Sequence, residues 1–334
     1  MATVDASHAA PRIPRRLGGL LLELPVLWLS LFVFLAVLPV RPELASAANL
    51  ELLLLSTALL AVLAIGQTFV LITAGIDLSV PAVMSLASVV GTAALTAAAP
   101  TLGDWPAVLI AVGVMLLLGV AIGSLQGLAV GWGKMPAFLV TLASLIGIGG
   151  LAVWWTQSDR TAVSDQFVEI WYGRPGGVRL PLIWVGSLAI VAHFVLAHTV
   201  TGRRLYALGH SAAASLISGV PVVRVTVLAY AVSGFCAAAA SVLYTARLYT
   251  GSPQLVENEV LLDCIGAAVI GGTSLFGGRG RIGGTLLGAL FIALLGNSLN
   301  MLGLRYWHVI MVKGSVILLA AMLDVVRSRF HSES

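Results

Sequence analysis

This chain is poor in charge. Of 334 residues, 18 are Lys or Arg and 14 are Asp or Glu, 10% in all, where a soluble domain carries about a quarter. A water-soluble globule is excluded on that ground. Lysine is scarcer still: Lys134 and Lys313 are followed by Met135 and Gly314. The Lys-Ser/Thr pair that a phosphate loop needs for terminal phosphates and magnesium is therefore missing. The chain is expected to bind no ATP and to carry no cofactor of its own. The two cysteines, Cys236 and Cys264, lie inside apolar runs and imply no disulfide framework. Neither His-Glu-x-x-His nor Gly-x-Ser-x-Gly occurs, so the usual signatures of an intramembrane metalloenzyme or serine hydrolase are lacking.

Apolar residues make up 59% of the chain, with a mean hydropathy of +1.03. This composition predicts an all-α integral membrane protein. A spanning helix takes about 20 largely apolar residues, and the apolar runs fall at 20–40, 50–73, 78–99, 106–130, 137–155, 180–199, 222–244, 260–275, 283–302 and 307–326. The expectation is about ten spans forming one permease domain over 20–326, with short tails at 1–19 and 327–334. The first run, behind Arg12, Arg15 and Arg16, is long for a signal-peptide core and lacks a small-residue cleavage site, so it reads as a retained helix. The net charge of +4 reflects topology rather than nucleic-acid binding, because the arginines cluster beside apolar runs. With the N-terminus inside, the inner segments hold Arg12, Arg15, Arg16, Lys134, Arg203, Arg204, Arg224, Arg279, Arg281, Arg327 and Arg329. The outer segments hold Arg41, Arg160, Arg174, Arg179, Arg247 and Arg305. Basic residues collect on the cytoplasmic side, so both termini are expected there. Glu43, Glu51, Asp104, Asp159, Asp165, Glu169, Glu257 and Glu259 fall outside under the same assignment.

Three hydrophilic stretches stand out. The hinge GGTSLFGGRGR, residues 271–281, combines glycines with two hydroxyls and two arginines, and reads as a tight cationic turn between membrane helices. The outer segment 156–179 carries Trp171, Tyr172 and Pro175 and reads as a compact loop with its aromatics at headgroup level, either a docking surface or a plain connector. The inner segment 201–224 predicts a short alanine-rich helix, with Gly209 before it and Gly219 and Pro221 after it as stop signals. Such an uncharged helix suits a groove on a partner protein, or a resting place on lipid.

The order of ITAGIDLSV at 72–80, the turn Lys134, Met135, Pro136, Ala137, Phe138 with Thr141 after it, GRRLYALG…SGVPVVR, and AVIGGTSLFGGRGRIGGTLLGAL resembles the permease subunits of ribose-type ABC importers. The resemblance runs from about residue 50 to 324. It implies a subunit of the bacterial inner membrane, paired with a second copy or a sister permease. A cytoplasmic ABC ATPase would serve it, and a periplasmic or lipoprotein sugar-binding protein would deliver a monosaccharide. Family members for a nucleoside or a polyol share the same motifs. By the same resemblance, 201–224 is the coupling segment that meets the ATPase, with Gly202, Tyr206, Gly209, Ser218, Gly219, Val222 and Arg224 at the matching places; Ala213 and Ala214 of its short helix are expected to sit in the partner's groove, and Arg279 of the hinge to be a second inner contact. One departure matters. Where the family commonly has Gly-Asn-Glu-Glu-Ala-Ala-Arg-Leu, this chain has His210, Ser211, Ala212, Ala213, Ala214, Ser215, Leu216 and Ile217 after Gly209, so charged contacts are replaced by apolar ones. Pro81 stands where glycine is usual, in keeping with proline in a first helical turn.

Polar groups inside hydrocarbon are costly and face protein or water. Asp77 is expected either to cap the next helix through the amides of Ser79 or Val80, or to line the solute path. Asp263 either fixes a helix or lines the path. Gln67, Gln126, Asn297 and Asn300 can exchange hydrogen bonds with sugar hydroxyls or hold helices together. His193 and His198, five apart, are expected on nearly opposed parts of a helix, and Lys313 to extend toward the interface, its own span offering no carboxylate near it. A secondary transporter driven by an ion gradient is the rival reading, and it would show an ionisable pair deep in the membrane.

Overall fold

The computed structural model describes the backbone of residues 15–156, 161–255 and 259–332, and their side chains except those of 15–25, 323 and 326–332. The expectations for Arg12, Asp159, Arg160 and Glu257, and for the terminal residues 1–14 and 333–334, lie outside these. The helices in order are α1 Arg15–Val37, α2 Ala47–Ile72, α3 Val80–Leu102, α4 Asp104–Gly131, α5 Ala137–Thr156, α6 Asp165–Tyr172, α7 Leu180–His198, α8 Val200–His210, α9 Ala212–Ile217, α10 Val222–Leu248, α11 Glu259–Ile270, α12 Ile282–Met301 and α13 Tyr306–Ser332. Two short strands, β1 Thr161–Ala162 and β2 Thr250–Gly251, pair antiparallel.

Each of the ten apolar runs coincides with a helix, and among the described residues seven of these helices (α2, α3, α4, α5, α7, α10 and α12) are long and apolar enough to cross a membrane. The run at 260–275 is corrected in extent. Its helix α11 has 12 residues, about 18 Å at 1.5 Å per residue, which falls short of a hydrocarbon core of about 30 Å. Gly272, at φ +90°, turns the chain out of it.

The core is built around α2 and α10, which carry the largest buried shares among these seven helices, whereas α5 buries only 11% of its apolar window. Small residues make this possible. Gly119, Gly123 and Gly127 repeat every fourth residue along α4, and a Cβ at Gly123 would lie 2.1 Å from the Tyr230 carbonyl of α10. The two backbones therefore touch, which gives van der Waals packing where water offers no driving force. The α11–α12 hairpin closes in the same way, Gly288 lying against the Ala267 carbonyl. Cys236 and Cys264 are free and fully buried.

The outer segment folds compactly against the bundle. α6 is capped by Ser164, which accepts the Phe167 N–H, and it turns Phe167 and Trp171 into the core. Trp171 is buried in the bundle with Arg247 over its ring, 5.5 Å from guanidinium to centroid. An amphipathic eight-residue helix with this burial has a buried face to fill. Tyr172 remains 40% exposed, and Arg174 and Arg179 both bind Glu51 of α2. His193 and His198 are corrected too: their rings meet edge-on at 5.9 Å at the end of α7.

Candidate functional site

At one end of the bundle α8, α9 and the hinge form a platform. Thr199 caps α8 by accepting the Gly202 N–H, and Ser211 caps α9 by accepting the Ala214 N–H. Gly209 is not a stop signal. It lies inside α8, where a Cβ would fall 1.8 Å from the Ile72 carbonyl and 2.4 Å from Gly278 N. The break between the helices comes instead at Ser211, whose extended backbone (φ −163°, ψ 111°) ends one helix and starts the next.

The hinge is folded onto this junction. Gly278 N–H donates to the Ile72 carbonyl over 2.8 Å. The Tyr206 hydroxyl donates to the Gly280 carbonyl over 2.8 Å. Burial pushes the Tyr206 phenol above its ordinary pKa, against the opposing charge of Arg281, so it stays a donor. Gly277 and Gly278 have φ +85° and +71°, conformations that a side chain would strain. From the far side, the Asp324 carboxylate of α13 accepts the Ser274 hydroxyl at 3.0 Å and the Leu275 N–H at 3.2 Å. α8, the hinge, the end of α2 and α13 are thus tied into one unit.

The face of this unit is basic and apolar. Arg203, Arg204 and Arg224 are exposed, as are Ala213, Ala214 and Gly219, while Leu216 and Ile217 are 68% and 88% exposed. Gly202 is buried, Tyr206 and Arg279 half-buried. No acidic residue occurs in 201–224 or 271–281. The geometry suits transmission of a displacement; it offers no nucleophile with a base. Among the described residues no cluster of His, Cys, Asp or Glu suits a metal ion.

Asp77 heads a second polar group in the link between α2 and α3. Its carboxylate makes the expected contact, Oδ1 accepting the Ser79 N–H at 2.9 Å, although α3 begins at Val80 and the capping position itself is Ser79, whose hydroxyl also donates to Asp77 Oδ1 at 2.6 Å. Asp77 Oδ2 accepts the Ser233 hydroxyl of α10 at 2.6 Å, and Gln67 Nε2 donates to the Asp77 carbonyl at 2.5 Å. The carboxylate therefore staples the α2–α3 link to α10. Beside it Thr141 donates to the Ile76 carbonyl at 3.2 Å. Gln67 Oε1 and both amide atoms of Gln126 are buried without a hydrogen-bond partner.

The remaining polar candidates sit apart from this group. Asn297 donates to Asn49 of α2 over 3.1 Å, holding α12 to it, and Asn300 is exposed near the end of α12. Asp263 pairs with Lys313, Nζ to Oδ2 2.6 Å. Lys313 therefore pairs across helices rather than simply extending to the interface: its own helix offers no carboxylate near it, α11 supplies one, and a glycine at 296 leaves room for the stem (a Cβ there would lie 3.1 Å from Lys313 Cε). Two surface grooves, about 600 and 410 Å³, have largely apolar walls, and none of the six path candidates lines either.

Sequence reasoning missed Ser233 and Asp324. Asp324 had a signal, since a carboxylate in the last apolar run needs a partner. Serine in a helix has none.

The chain resembles the ribose import permease protein RbsC of Escherichia coli K12 (37% identity over 302 residues, 89% of this chain and 92% of that protein). It resembles the ribose import permease protein RbsC of Bacillus subtilis 168 at 39% over 306 residues, 90% and 92% of the two chains. The xylose transport system permease protein XylH of Escherichia coli K12 is 32% identical over 347 aligned positions, covering 85% and 86%. Residues 49–322 match the family described as branched-chain amino acid transport system / permease component. This match spans the α2–α3 link, the platform and the hinge together, and the chain belongs to that permease family.

Proposed function

We propose that this chain is the membrane-spanning permease subunit of an ATP-binding-cassette importer that carries a monosaccharide inward by alternating access. The observation that carries the reading is similarity over nearly the whole length to permeases named for ribose and xylose import. The exposed α9 and its capped junction with α8 supply a surface on which an ATPase can act. In this reading the protein spans the bacterial inner membrane about ten times with both termini in the cytoplasm, and it works beside a second permease copy or sister subunit. An exported binding protein delivers the sugar to the opposite face. A solute path is drawn from Gln67, Asp77, Gln126, Asp263, Asn297 and Asn300. ATP is hydrolysed on the partner.

An ion-driven reading draws on the Asp263–Lys313 pair and the short α11. Reconstitution separates the two. The purified chain in liposomes should hydrolyse no ATP and accumulate no pentose until ATPase and binding protein are added. Accumulation driven by a proton or sodium gradient in the isolated chain would sink the importer reading.

A further inference from the structure

Phe276 lies in the hinge and is 57% exposed, although it is the one large aromatic in a turn of glycines and hydroxyls. Its place is set by its neighbours. Gly278, two residues on, packs against the His210 ring, and Ser211 just beyond caps α9. The hinge aromatic and the exposed Leu216 and Ile217 therefore belong to the same end of the molecule and to one hydrogen-bonded unit. Arg203 and Arg204 of α8 and Arg224 at the start of α10 are exposed, and none forms an ion pair with a described residue.

We propose that the platform docks its ATPase through two apolar anchors, Leu216–Ile217 on α9 and Phe276 on the hinge, seated in apolar pockets whose rim is acidic. This rests on the importer reading and deepens it by assigning the partner's chemistry. Three arginines with no acid in either segment call for carboxylates opposite them. Exposed apolar side chains on such a surface gain by leaving water on docking, and an aromatic such as Phe276 is of the type enriched at interface cores, while rim charges set the approach rate and its salt dependence. The second anchor also has a mechanical consequence. A partner gripping α9 alone could roll that six-residue helix about its Ser211 junction. Gripping Phe276 as well moves the hinge, and with it the Ile72 carbonyl that Gly278 holds, so the displacement reaches the α2–α3 link and Asp77.

The test uses the full-length chain in phosphatidylcholine nanodiscs and its co-expressed ATPase, with binding read by interferometry at several salt concentrations. Phe276→Ser and Leu216→Ser should each weaken binding by about tenfold or more, with unchanged melting and elution. Arg203→Glu with Arg204→Glu should slow association and flatten its salt dependence. If Phe276→Ser binds normally while Leu216→Ser fails, the two-anchor proposal falls and α9 docking survives. If neither variant nor Ala213→Glu alters binding, the coupling assignment falls with it. If Phe276→Ser changes only the chain's response to added phosphatidylglycerol, the hinge aromatic is a lipid contact and the proposal is overturned.

Discussion

Lys313 and Asp263 offer the sharpest test of the packing. Their side chains are 18% and 16% exposed and 2.6 Å apart, so each charge is largely withdrawn from water and compensated by the other. Removing one partner of a fully buried pair costs about 3–5 kcal/mol, because the survivor keeps its desolvation without its attraction. Residual exposure lowers that to about 2–4 kcal/mol here. Lys313→Met and Asp263→Asn are each expected to lose that much, whereas the double variant should return to within about 1 kcal/mol of the parent, since neither charge remains. Reversible unfolding in mixed micelles with increasing dodecyl sulfate, run on the four proteins of the cycle, yields the coupling energy as the departure from additivity. Single variants at parental stability, or a double variant whose loss is the plain sum of the two, would refute the pairing and restore a lysine that simply extends to the interface. The reversed pair, Asp263→Lys with Lys313→Asp, should recover transport better than either half alone.

Three more outcomes follow from the platform and the α2–α3 link. Asp77→Asn should be mild in assembly and transport, because the amide oxygen still accepts from Ser79 and the Ser233 hydroxyl can turn to accept; Asp77→Ala strands three donors and should cost about 2–4 kcal/mol. An assembled but inactive Asp77→Asn protein would show that the charge itself serves transport. Gly209→Ala places a methyl 1.8 Å from the Ile72 carbonyl and should cost about 1–3 kcal/mol through forced backbone shifts, read as a lower melting temperature together with weaker ATPase-coupled uptake. Tyr206→Phe leaves the Gly280 carbonyl without its donor and should cost about 1–3 kcal/mol if that group stays buried; fast amide exchange confined to 274–280 would locate the loss, and unchanged exchange would deny the contact.

Hydropathy and residue order alone determined the membrane class, the positions of the ten apolar helices, the family, and the existence of a short uncharged helix after the sixth apolar run, which forms α7. These are legible because apolar run length, capping residues and turn glycines act within a few positions along the chain. Tertiary structure decided the rest. That Asp77 also staples the link to α10 depended on Ser233, 156 residues away. Lys313 found its carboxylate 50 residues back, and Gly209 proved to be a contact rather than a stop because Ile72 and Gly278 close on it. Trp171 went inward for the same reason, α10 offering Arg247 above a buried face. Each of these turns on which backbones approach one another, and in a bundle whose helices are apolar on nearly every side, periodicity along one segment carries no record of its neighbours.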